Sequence, residues 1–286
     1  VERPRPNDES ARRIGPYRLI TRLDPPRALA PCLRFVARSA DGDRTVLLSA
    51  PLRGADPARF LTEAQAAQRL LGPWIAPVTE VSATGAPYSV TPYSPSLPLP
   101  VALAVHGGPL PVETVRVIGV ALAETLAAAH AQGVTHAGVS PAAVLLTADG
   151  PRLTCFGAVR AAEGRLSDLD PGALAPEQAT GGRPRPPGDV YALGAVLAYA
   201  ATGHTVPERS ELPDALRPPV SSCLTRDPAN RPTAAAVLAA LAPPTPHETV
   251  LSSAGSLLTP GWLPGRVVAA LARQSSEILA AELPWN

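Results

Sequence analysis

Apolar residues recur at helical spacing in three stretches of the chain. Val115, Ile118, Leu122, Leu126 and Ala129 form one stripe, which predicts a helix from Pro111 to Gln132 stopped by Gly133. Phe60, Ala64, Ala67 and Leu71 form a second, with Asp56-Pro57 as N-cap and first-turn proline and Gly72-Pro73 as its end. Val267, Val268, Leu271, Ile278 and Leu279 form a third within residues 265–283, interrupted by Ser275. From Val190 to Ala201 the chain is apolar on all sides, the pattern of a buried helix shorter than the ~18 residues of a membrane span. Short apolar runs predict strands from Ile14 to Leu19, from Thr45 to Ser49, and around 76–81 and 87–91. Two more, Ala143 to Leu146 and Arg152 to Phe156, flank the turn residues 147–151; Asp149-Gly150 makes this pair read as a β-hairpin. There is no internal repeat.

Composition sharpens this picture in three places. The 36 prolines among 286 residues predict long loops and extended linkers. All 25 basic residues are arginine, and they are scattered in a chain of net charge +1, so a nucleic-acid groove has no electrostatic footprint. Cys32, Cys155 and Cys223 are odd in number and far apart in sequence, without a Cys-x-x-Cys pair; they suit a reducing compartment and give no metal-site signal. The polar, Pro/Arg-rich N-terminus lacks a secretory signal, so the expected location is cytoplasmic.

Several motifs follow one another in a fixed order. His136-Ala137-Gly138 leads through Ala143 into the hairpin, which ends in Cys155-Phe156-Gly157. Ala175-Pro176-Glu177, the run Asp189 to Gly194, and Arg226 to Thr233 come next. Over residues 14–243 this layout resembles the catalytic domain of bacterial eukaryotic-like (Hanks-type) Ser/Thr protein kinases, whose signatures are His-Arg-Asp-Leu-x-x-x-Asn, Asp-Phe-Gly and Ala-Pro-Glu. The resemblance implies an α+β, bilobal fold. Residues 14–94 would be a small lobe of five strands with one main helix, and 95–243 a larger, mostly helical lobe. Around them lie a disordered tail (1–13), a Pro/Thr/Ser linker (244–260) and the C-terminal amphipathic helix (261–286).

The same resemblance separates what is kept from what is lost. His136, Phe156, Gly157, Glu177, Asp189 and Arg231 match architectural positions: Glu177 and Arg231 a buried ion bridge, Asp189 an acceptor for the backbone of the His136 loop, His136 and Phe156 an inter-lobe stack. Glu63 matches a helix glutamate whose usual partner is a strand lysine; that position is Ser49, so Glu63 is read as an exposed helix residue. The catalytic Asp becomes Gly138, the metal-binding Asn becomes Ala143 and the metal-binding Asp becomes Cys155. Where a glycine-rich hairpin would cover the phosphates, residues 23–31 contain no glycine, and Asp24 would repel an anion. Leu47 stands where a small residue roofs adenine and would fill that space, while the hinge candidates Thr91, Pro92 and Ser94 do not block adenine outright.

Phosphoryl transfer rests on positioning and charge neutralisation, so the expected function is a pseudokinase: a protein-binding regulator or scaffold, with absent or weak ATP and Mg²⁺ binding and a protein partner, an active kinase being one candidate. The alternatives are a nucleotide or ligand sensor using the old cleft and a weakly active Ser/Thr kinase-family transferase. Asp170 near the vacant base position, a Cys155–His136 thiolate–imidazole pair and Ser167 as a phosphosite are the residues such rescue readings would use. The C-terminal helix is expected to dock on the large lobe, anchored by Trp262, with a partner surface as the second choice.

Overall fold

The computed structural model describes residues 13–26, 28–162, 169–242 and 254–282. Ser167, most of the N-terminal tail and the first part of the 244–260 linker lie outside them. An antiparallel sheet opens the chain, built from β1 (Arg13–Ile14), β2 (Tyr17–Arg22), β3 (Leu33–Arg38), β4 (Thr45–Ala50), β5 (Glu80–Ser82) and β6 (Tyr88–Pro92) in the order β1-β2-β3-β4-β6-β5. The short β1 adds a strand to the expected five. Helix α1 (Pro57–Ala67) packs beneath this sheet. Asp56 caps it by accepting hydrogen bonds from the backbone N–H groups of Ala58 and Arg59. It ends before the apolar pattern does: residues 68–70 close as tight turns, and Leu71 is 81% exposed rather than part of the buried stripe.

The chain then crosses through β7 (Leu97–Pro98) into helices α2 (Leu99–His106) and α3 (Val112–Ala131). The predicted stripe of α3 is buried against α4 (Pro186–Thr202), whose residues from Val190 to Ala201 are almost all sequestered. Helices α5 (Arg217–Cys223) and α6 (Ala234–Leu241) complete the large lobe. The hairpin is tighter than the sequence suggests. Strands β8 (Val144–Thr147) and β9 (Gly150–Leu153) pair Thr147 with Gly150, so only residues 148 and 149 form the loop. The second strand stops at Leu153 because Cys155 has φ +62°, outside the β region.

Helix α7 (Gly265–Glu282) lies on the large lobe, as its apolar face requires. Leu263, Val267 and Leu271 enter the main core, and the Trp262 indole N–H donates to the carbonyl of Ala148. Val268 and Leu279, counted in the same stripe, instead remain half or more exposed. Gln274 then does something the apolar pattern conceals. Its side-chain oxygen accepts from the Tyr93 hydroxyl and the Ser96 N–H, both at 2.9 Å, and its amide donates to the Ser96 carbonyl at 3.0 Å. The C-terminal helix thus grips the chain at the inter-lobe crossing. No helix among the described residues is long and apolar enough to cross a membrane.

Candidate functional site: the cleft between the lobes

The floor of the cleft is the loop from His136 to Ala143 and the segment after β9. Asp189, 2% exposed at the start of α4, accepts from the backbone N–H groups of His136 (2.7 Å) and Ala137 (2.8 Å). These bonds support Ala137 at φ +52°, a conformation costly for a residue with a Cβ. His136 packs edge-on against Phe156, ring centroids 5.5 Å apart, and burial lowers its pKa to about 4 despite the Asp189 carboxylate. The ring is therefore neutral at pH 7. In the large lobe, Arg231 spans Glu177 with two bonds of 2.7 and 2.8 Å and also donates to the carbonyls of Thr225, Pro187 and Arg226. Its side chain is wholly buried, while that of Glu177 is 31% exposed.

The positions expected to lack chemistry are packed rather than merely vacant. A Cβ placed on Gly138 would lie 1.8 Å from the carbonyl oxygen of Cys155, so any side chain there requires this backbone to shift. Asp170 borders the same small cavity as Gly138, but its carboxylate caps the turn at 171–173 by accepting from the Gly172 N–H at 2.9 Å. Ala143 is fully buried. Leu47 meets Leu23 and Leu145 in a small apolar cluster that joins the two lobes. Thr91 is half-buried, and Pro92 and Ser94 are exposed at the edge of the crossing.

Two arginines that sequence reasoning passed over organise the cleft. Arg34, on β3, is 1% exposed. It spans Asp24 with bonds of 2.8 and 2.5 Å, then reaches across to the Ala142 carbonyl (2.7 Å), the Thr154 hydroxyl (3.1 Å) and the Cys155 sulfur (4.0 Å). Asp24 is accordingly 3% exposed and neutralised, not a free carboxylate repelling anions as its loop position suggests. The second is Arg160. It holds Glu63 by two bonds, 2.9 and 2.8 Å, and lies over the Phe156 ring at 4.9 Å. Glu63 is thus a partly buried ion-pair partner, which corrects its reading as an exposed helix residue: its cation comes from after Gly157. Gly157, at φ +73°, leaves room for this, since a Cβ there would sit 2.0 Å from the Glu63 carboxylate. Ser49 takes no part in the pair but lines the same cleft cavity.

Cys155 keeps company with Thr154, Arg34 and Cys32, whereas the partner of the His136 ring is Phe156. The thiolate–imidazole pairing is not formed.

This fold is shared with solved structures. The chain superposes on the crystal structure of Rad53 1–466 in complex with AMP-PNP with a TM-score of 0.61 at 20% identity, over 78% of this chain and 64% of that one. Among curated proteins it is 36% identical to the probable serine/threonine-protein kinase PkwA of Thermomonospora curvata over 91% of its own length. It is 33% identical to the serine/threonine-protein kinase AfsK of Streptomyces coelicolor over 90%, and 41% identical to PknK of Mycobacterium tuberculosis over 58%. The chain belongs to the bacterial Hanks-type Ser/Thr protein kinase family. It spans 39% of PkwA, 35% of AfsK and 16% of PknK. No protein-family model matches it.

Proposed function

We propose that this kinase-family domain is a pseudokinase that works as a protein-binding regulator or scaffold without phosphoryl transfer. The observation that carries this reading is the position of Arg34. Its guanidinium lies against Ala142 and Cys155, beside the two positions where the resemblance places metal ligands. A fixed cation there opposes Mg²⁺, and the side chains of Ala143 and Cys155 offer a methyl group and a thiol where Mg²⁺ demands oxygen donors. The residues present therefore do not fit that ion. Neither do they favour a triphosphate: the Leu23–Leu47–Leu145 cluster lies where the resemblance places the purine ring.

The retained frame supports a binding role. Asp189, the Glu177–Arg231 bridge and the His136–Phe156 contact hold a kinase-shaped surface in place. Beside it, an apolar groove of about 660 Å³ is lined by Pro25 and Leu29 on one side and by Pro100 and Val101 of α2 on the other. Leu29 is half-exposed at its edge, the kind of side chain that partners cover.

Incubation of the purified chain with labelled ATP, Mg²⁺ or Mn²⁺ and a generic acceptor protein tests the reading. No incorporation into itself or the acceptor is expected. Metal-dependent incorporation that disappears in Asp170→Ala would overturn it and make Asp170 the base. A saturable thermal shift with ATP but without transfer would move the assignment to a nucleotide sensor.

A further inference from the structure

Cys32 and Cys155 lie far apart in the sequence and look unrelated there. The fold brings them together across the lobe boundary, Cys32 just before β3 and Cys155 just after β9. Both line the cleft cavity, of about 90 Å³, near enough for each thiol to shift the other's titration. Cys32 is buried and the Cys155 residue only partly so, and both border the cavity. The Arg34 guanidinium lies 4.0 Å from the Cys155 sulfur and the Thr154 hydroxyl 3.3 Å from it.

We propose that Cys32 and Cys155 form a peroxide-responsive dithiol whose disulfide staples the small lobe to the large one. This inference stands independently of whether the cleft transfers phosphate.

Polarity within the pair assigns the order of events. The neighbouring Cys32 thiol, with help from Arg34 and Thr154 against burial, lowers the Cys155 pKa to about 7, while the Cys155 thiol and burial raise that of Cys32. Cys155 is the attacking thiolate. Its sulfur displaces hydroxide from hydrogen peroxide: the S–O bond of a sulfenic acid forms as the O–O bond breaks, and the hydroxide takes up the proton the Cys155 thiol released. The Cys32 sulfur then attacks the sulfenic sulfur. The S–S bond forms, the S–O bond breaks, and the hydroxyl leaves as water with the Cys32 proton. Each sulfur gives up one electron and the peroxide takes two, so two thiols and one peroxide yield a disulfide and two waters. A cavity of this size accommodates the peroxide, since a water occupies only about 30 Å³. Closing the sulfurs to about 2.05 Å requires a shift of Cys32, which residues 28–32 allow because they lie outside any strand. The bridge closes a loop of roughly 120 residues, a length at which a disulfide strongly restricts the unfolded chain.

The full chain, reduced and then treated with hydrogen peroxide, is alkylated in denaturant and mapped by mass spectrometry. The expected product is a Cys32–Cys155 cross-linked peptide, lighter by two hydrogens and reversed by dithiothreitol, with Cys223 alkylated throughout. The oxidised protein should melt at least about 5 °C above the reduced form, a rise absent from Cys32→Ser and Cys155→Ser and kept in Cys223→Ser. If Cys155→Ser does not fold, Cys32→Ser decides alone: its Cys155 should accumulate as sulfinic acid instead of an intramolecular bridge. Wild-type Cys155 passing to sulfinic acid while Cys32 stays alkylatable would overturn the proposal, as would bridges to Cys223 or between copies.

Discussion

The guanidinium of Arg34 lies flat against the carboxylate of Asp24, Nε to Oδ2 at 2.8 Å and Nη2 to Oδ1 at 2.5 Å, with both side chains about 1% exposed. A two-point pair of this kind is held by geometry as much as by charge. Its remaining donors go to Ala142 and Thr154, so a small-lobe strand is tied to the large lobe through one side chain.

Breaking one partner strands the other charge. Asp24→Ala or Arg34→Ala should each destabilise by about 3–5 kcal/mol, whereas Asp24→Leu with Arg34→Met should cost far less than the two single changes together. Urea denaturation of the variants measures this. Additive losses would show that the pair is not coupled.

Gly138 invites an attempt to restore the catalytic carboxylate, and the structure forecasts its failure. A Cβ at that position would sit 1.8 Å from the Cys155 carbonyl oxygen and 3.2 Å from the Ala158 nitrogen. Gly138→Asp should therefore lower stability by about 1–3 kcal/mol and yield no phosphate incorporation, even when combined with Ser49→Lys and Cys155→Asp. Thermal melts and the labelled-ATP assay read both outcomes.

The Glu177–Arg231 bridge predicts an ordered pair of losses. Arg231 is fully buried and serves three carbonyls besides Glu177, whereas Glu177 keeps about a third of its side chain in water. Arg231→Ala should cost about 3–5 kcal/mol and Glu177→Ala clearly less, because solvent screens the partly exposed charge. Equal melting temperatures for both variants and wild type would contradict this packing.

His136 sets a pH dependence. Burial lowers its pKa to about 4, against about 6.5 in an unfolded chain, so between those values the unfolded state binds the extra proton. Stability from this residue is complete above pH 6.5 and declines as the pH falls toward 4. The melting temperature should drop between pH 7 and pH 5, and His136→Phe should flatten that decline. An unchanged slope in the variant would assign the acid sensitivity elsewhere.

These features differ in how openly the sequence announces them. The stripe on α3 and the all-apolar α4 were legible because burial imposes a local period, and Asp56 because capping acts over a few residues. Asp189 and the Glu177–Arg231 bridge were reachable through motif order. Arg34 and Arg160 were not: their partners lie 10 and 97 residues away, and an ion pair leaves no periodic trace. With Ser49 where the resemblance places a lysine, Glu63 looked unpartnered, although Arg160 beyond Gly157 pairs with it. Leu71 erred in the opposite direction, since the apolar spacing continues after the helix has unwound.

The C-terminal helix offers the most direct test of how the lobes are held. Val267, Leu271 and Ile278 are buried, and the carbonyl of Trp262 accepts from the Thr114 hydroxyl at 2.6 Å. Removing residues 261–286 would uncover these contacts and leave Ser96 without the Gln274 amide that satisfies its N–H and C=O. Each fully buried aliphatic side chain contributes about 1.5–3 kcal/mol, so truncation should lower the melting temperature by several degrees and increase binding of a hydrophobic dye. Gln274→Ala separates the clasp from the packing. It keeps the apolar face but strips three hydrogen bonds from residues 93–96 at the crossing, at about 1–3 kcal/mol. Faster amide hydrogen exchange confined to residues 93–97 in Gln274→Ala, with α7 still protected, is the expected signature. Exchange that rises equally along α7 would show that Gln274 holds the helix down rather than the crossing.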